Sequence, residues 1–188
     1  MKAILMSIKP KWCEKIFSGE KTVEVRKTAP KLELPFKVYV YRTKDKVGKA
    51  IVNEVLNSVY GGGKVIGEFV CDKVIKYGYD VISCAKFEVN GAYVKEENRY
   101  NAGACLSAEE MYEYSNGNSL YGWHITAPKL YDKPKELLEF RKPDEPFHTA
   151  EINENGNVVF CDGYEEGERL TRPPQSFMYV EDEEWKKS

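Results

Sequence analysis

The chain has little of what metal and thiol chemistry usually needs. It holds only two histidines, His124 and His148, and its five cysteines, at positions 13, 71, 84, 105 and 161, form no Cys-x-x-Cys pair. Scattered and odd in number, those cysteines make neither a disulfide framework nor a zinc ligand set. The histidines have no cysteine neighbour at metal-ligand spacing. No metal and no cofactor is expected, and the thiols read as reduced and mostly buried.

Long hydrophobic runs are absent too. No stretch approaches the ~20 apolar residues that span a bilayer, and the apolar run in MKAILMSIKPKW is too short for the core of a signal peptide and has no cleavage site after it. A soluble, cytoplasmic protein with no membrane contact is expected. A large excess of positive charge is also missing. The formal charge is −2, so any contact with nucleic acid must come from a local patch. The glycine triplet 61–63 lacks the Lys-Ser/Thr of a phosphate loop, and there is no Gly-x-Ser-x-Gly elbow, internal repeat or low-complexity tract.

What is present is the composition of a globular domain: 42% hydrophobic, 31% charged, with 13 tyrosines and 8 phenylalanines. AILMSI (3–8) predicts a strand. PKWCEKIFSG predicts a helix, with Pro10 in its first turn, Trp12/Ile16 and Cys13/Phe17 on one face, and Gly19 in the left-handed cap. TVEVRK and FKVYVYR alternate as strands. Residues 44–63 read as an insertion or flap with a helix around 50–59. KVIGEFVCDKVIKYGYDV and AKFEVNGAYV are strand-like, the latter with a hairpin turn at Asn90-Gly91. Ser107 and Glu110 make a capping box for a short helix. Leu120–Thr126 and Lys129–Tyr131 predict two strand halves separated by a kink at Pro128. Beyond Pro143 the chain turns acidic, with a short strand at NVVF. The order suggests an α+β domain on a closed or half-closed sheet.

The densest chemistry lies in SGEKTVEVRK. Period-two alternation sends Val23 and Val25 to one face and Glu24 and Arg26 to the other, while Lys21 reaches the same region from the helix-to-strand turn. One reading is a solvated strand face whose opposite charges pair weakly. The other is a ligand-holding edge. There Arg26 grips a phosphate or carboxylate with its planar fork, Lys21 supplies a point charge or, if desolvated, a base or nucleophile, and Glu24 fixes them in place. Lys9, Lys11, Lys15, Lys21, Arg26, Lys27 and Lys31 form the one dense basic segment.

MSIKPKWCEKIFSGEKTVEVRK, KVIGEFVCDKV and LYGWHITAPKLYDKPKELLEF together resemble the ASCH domain family. The family hallmark Gly-x-Lys-x-x-Glu-x-Arg falls on Gly19, Lys21, Glu24 and Arg26. The resemblance implies a small PUA-like β-barrel, mixed but mostly antiparallel, with two or three short helices at its ends. That domain would span 1–140, with 141–188 as a C-terminal extension packed on it or partly mobile. It implies a cleft bordered by the motif that binds RNA or a nucleotide-like small molecule. One branch is similar at the helix-to-strand junction and hydrolyses acetylated cytidine with a lysine, a threonine and a glutamate. Lys21 matches that lysine, and Glu24 stands where the branch has its threonine. Lys21 and Glu24 are therefore the catalytic candidates if the chain is an enzyme, and another branch resembles a metal-dependent ribonuclease.

Further candidates to line the cleft are Ser7 and Lys9, at the edge of the first strand, and Tyr121, Trp123 and His124. Tyr121 and Trp123 share a strand face and His124 takes the other. The two aromatics read either as core or rim residues, or as rings that stack a base at ~1–3 kcal/mol each. His124 reads as a strand histidine with a satisfied hydrogen bond. The acidic C-terminal segment is a candidate to recruit a protein partner.

Overall fold

The computed structural model describes residues 2–44, 62–77, 87–89, 92–94, 103–152 and 158–182. The expected flap helix and the Asn90-Gly91 turn lie outside the described residues. The chain order is β1 (Lys2–Ile8), α1 (Pro10–Phe17), β2 (Val23–Arg26), β3 (Phe36–Arg42), β4 (Lys64–Tyr77), β5 (Phe87–Val89), β6 (Ala92–Val94), α2 (Ala108–Ser115), β7 (Leu120–Lys135), β8 (Glu145–Ile152), β9 (Val158–Glu165) and β10 (Phe177–Glu181). A single 3-10 turn, Leu137–Glu139, follows β7.

Local chemistry accounts for the helices. Pro10 opens α1, where a missing N–H costs nothing, and Gly19 takes φ +80° just past its end. Cys13 and Ile16, one turn apart, are buried with Pro10 against the sheet. Ser107 and Glu110 cap α2 reciprocally, and Asn116 closes it in the left-handed conformation.

Pairing runs β10-β1-β3-β4-β7-β2, with β5 and β6 continuing from the far end of β4. β1 and β3 are parallel and every other ladder of this sheet is antiparallel. The fold is thus the expected sheet-dominated α+β type. Among the described residues no ladder joins β2 to β1 or β10, so the backbone pairing is open where a barrel would close. β5 and β6 pair as the expected hairpin.

β7 differs from expectation. It runs unbroken through Pro128, because the register against β4 shifts between Lys129 and Thr126, across that point, and Ala127 turns to φ +46°. Irregular pairing frees the proline from a donor position that it cannot fill. β9 takes in Val158–Phe160 of the expected strand, runs on to Glu165 and pairs with β8 in a separate two-stranded sheet.

Both faces of the main sheet are covered, which is why the chain reads so continuously apolar at β1. Ile4, Met6 and Ile8 join Cys13, Ile16, Phe69 and Trp123 beneath α1. Ala3 and Leu5 face the other way, onto Tyr39, Phe140, Leu170 and Val180. A third group, Val23, Val25, Ile75, Met111 and Leu120, lies beneath α2. The valines of β2 thus face α2, and its charged residues face α1.

Candidate functional site

The turn after α1 delivers Lys21 and β2 delivers Glu24 and Arg26, and all three are buried, at 2%, 6% and 8% exposure. The solvated-face reading of these charges does not hold. Glu24 sits between the two cations: its Oε2 is 3.5 Å from Lys21 Nζ and its Oε1 is 3.1 Å from Arg26 Nη2. Lys21 Nζ donates to the carbonyl of Ala104 at 2.5 Å. Arg26 Nη2 donates to the carbonyl of Ser7 at 2.8 Å, and this side chain bridges β2 to β1 where no ladder does. Arg26 Nε is buried without a hydrogen-bond partner.

Burial pushes the Lys21 ammonium below its ordinary value, against the opposing pull of Glu24. The indole of Trp12 contributes to that enclosure, with its ring centroid 4.8 Å from Lys21 Nζ. Burial also pushes the Cys13 thiol far up; nearby Arg42 lowers it, while Glu24 and Glu14 raise it further. Arg42 is itself 2% exposed. One oxygen of Glu14 is buried without a hydrogen-bond partner.

The remaining expected residues divide. Ser7 contributes its carbonyl, while its hydroxyl donates to Pro174 at 2.6 Å on the other side of the strand. Lys9 is exposed at the start of α1, where its carbonyl accepts the N–H groups of Trp12 and Cys13. Trp123 stands directly opposite Glu24 on the β2–β7 ladder, and Tyr121 opposite Arg26. Trp123 is 0% exposed and packs edge-on against Phe36 and Phe177 at 5.7 and 4.9 Å. It is an inner wall with no face open to stacking. His124 lies opposite Val23, away from the cluster, with Nδ1 2.6 Å from Asp72 Oδ1. That aspartate falls in the irregular stretch of β4 between Cys71 and Val74.

Sequence reasoning did not single out Trp12, Arg42, Glu14 or the Ala104 carbonyl. Arg42 closes an alternating strand and Trp12 lies in the first turn of the helix beside the motif, so both carried a local signal. The carbonyl carried none, because any residue offers one. Among the described residues, no three His, Cys, Asp or Glu side chains converge as metal ligands would. Chemically, the cluster sets two buried cations against one carboxylate, with a guanidinium donor left over.

No curated protein matches the chain in sequence. In fold it is similar to the crystal structure of an ASCH protein from Zymomonas mobilis. The TM-score is 0.57 at 19% identity, over 98% of this chain and 92% of that one. A point mutant of that protein gives 0.56 at 19% identity, over 100% and 96%, and a second mutant gives 0.56 at 18%, over 98% and 92%. The ASCH domain model matches residues 6–134, a span that contains α1, the whole Lys21–Glu24–Arg26 cluster and all but the last residue of β7, and on that match the chain belongs to the ASCH domain family.

Proposed function

We propose that the chain binds RNA or a small nucleotide-like ligand at the edge where Lys21, Glu24 and Arg26 meet. The observation that carries this reading is the unbalanced burial: Lys21 and Arg26 share one carboxylate, and Arg26 Nε has no acceptor. An interior that holds excess positive charge bears a desolvation cost that a phosphate or a polarised carbonyl would offset. A guanidinium donor is well suited to either acceptor. Calorimetric titration with short single-stranded RNA and nucleoside monophosphates tests it. Arg26→Gln should weaken binding at least tenfold, and affinity should fall as salt rises. A wild-type protein that binds none of these ligands would sink the proposal.

A second reading, a hydrolase acting on an acylated nucleoside or on RNA, is favoured by Lys21 itself. Burial makes its amine easier to deprotonate, as a lysine acting as base or nucleophile requires. In that reading neutral Lys21 takes a proton from water as the hydroxyl adds to the acyl carbon. It returns the proton to the departing base amine, releasing a carboxylic acid. Glu24 orients the amine. Turnover of acetylated cytidine that Lys21→Ala abolishes, with affinity nearly unchanged, would establish catalysis. A wild type that turns over neither nucleoside nor RNA, with or without added divalent metal, rejects it.

A further inference from the structure

Two lysines reach the same indole. Lys21, fully buried, has Nζ 4.8 Å from the Trp12 ring centroid; Lys11, on the exposed face of α1, has Nζ 4.1 Å from it. Trp12 is half-buried and packs against the core group beneath α1, which anchors the ring. The ring surface under a solvated lysine is surface that a ligand arriving from water can take. Of the aromatic side chains expected at the cleft, Trp123 is sealed in the core, and Tyr121, half-buried on the same core group as Trp12, lies opposite Arg26 on the β2–β7 ladder.

We infer that Trp12 is the stacking platform of the site: a nucleobase displaces Lys11 from the indole and lies on it, and the freed Lys11 ammonium pairs with the attached phosphate. This rests on the ligand class proposed above and assigns the contact that reads the base. The energetics favour the exchange, since an exposed lysine is held on a ring more weakly than a stacked base. The neighbourhood suits a base that carries a phosphate. Lys9, at the start of α1, and Lys11, on its first turn, are exposed, Lys15 one turn on is already paired with Glu20, and the unspent Arg26 donor belongs to the cluster behind. An anchored ring also gains because little freedom is lost when the base arrives.

The test titrates the full-length protein with cytidine 5′-monophosphate and with ribose 5-phosphate, which lacks the base. Trp12→Leu should weaken the nucleotide by about fivefold to a hundredfold, the worth of one stacked base. Trp12→Phe should stay within about threefold of wild type, and neither change should alter affinity for ribose 5-phosphate. Should Trp12→Leu fail to fold, the fluorescence of a Trp185→Phe variant that keeps Trp12 decides instead. The nucleotide should quench Trp12 and ribose 5-phosphate should not, with core-sealed Trp123 unmoved. If Trp12→Leu binds the nucleotide as tightly as wild type while Arg26→Gln loses it, the platform is overturned and the site stands. If wild type binds neither the nucleotide nor short RNA, both fall.

Discussion

Glu24 and Trp123 face each other across the β2–β7 ladder, so one face of the sheet carries a carboxylate directly beside the largest side chain of the core. The carboxylate is tolerated there because Lys21 and Arg26 flank it. The dependence is mutual, since both cations would otherwise sit in a low dielectric unpaired.

Glu24→Ala should therefore destabilise the fold by about 3–5 kcal/mol, the range for breaking a buried ion pair from one side. Glu24→Gln, which keeps the shape and an acceptor, should lose less. Urea unfolding measures both, and a loss below about 1 kcal/mol for the alanine variant would mean that water reaches the cluster.

Lys21 makes stability depend on pH in a stated direction. Its native-state value lies below the ordinary 10.5. Between the two values the unfolded chain holds more protons than the native one, so unfolding free energy rises with pH through that window. Below the native value both states are protonated and the slope from this group vanishes. The stability of wild type relative to Lys21→Met should thus increase as pH approaches 10.5. A pH-independent difference between the two unfolding curves would reject this.

Gly67 holds the end of α1 close to the sheet. A Cβ there would lie 2.4 Å from the Lys129 carbonyl oxygen and 2.6 Å from the Phe17 ring. The carbonyl belongs to the β4–β7 ladder and cannot retreat cheaply, so the helix end must move. Gly67→Ala should cost about 1–3 kcal/mol, or roughly 3–10 °C in Tm for a chain of this size. Because Lys21 follows Phe17 by one turn, ligand affinity should fall with it. Thermal melts and titration of the same variant check the coupling.

The thiols should react unequally. Burial pushes Cys71 up to about 12 and Cys13 further still, whereas Cys105 is half-exposed beside Glu20. The thiolate is the reactive form. Maleimide at pH 7 should modify Cys105 in the native protein and leave Cys13 and Cys71 untouched until urea unfolds the chain. Peptide mass spectrometry reads all three positions, and early modification of Cys71 would contradict its burial.

What could be read from the chain was local. Pro10, Gly19 and the Ser107–Glu110 box each act within a turn of helix, and the alternation of 23–26 correctly put Glu24 and Arg26 on one face. Alternation separates faces but does not say which is wet. Here α2 covers the valine face and α1 the charged one, so a pattern that reads as half-solvated is buried on both sides. The partners that fix the cluster were beyond reach for another reason. The Ser7 and Ala104 carbonyls lie 19 and 83 positions from the side chains they receive, and a backbone oxygen leaves no mark in the sequence. Strand β7 misled because a bulge, which costs the alternation nothing visible, lets Pro128 stay inside it.

The pairing of β1 with β10 also bears on how the protein is made. The first strand meets one of the last, and Ser7 and Pro174, 167 positions apart, are hydrogen-bonded. During synthesis β1 can gain β3 early, but its other edge has no partner until residue 177 has left the ribosome. For most of translation an apolar strand stands with one row of amides open, a template for pairing with another nascent chain. Closing so long a loop also comes late in refolding, since non-local contacts repay their entropy only after they form. The same strand carries the Ser7 carbonyl that Arg26 grips, so the motif near the start of the chain is fully supported only when its far end is in place.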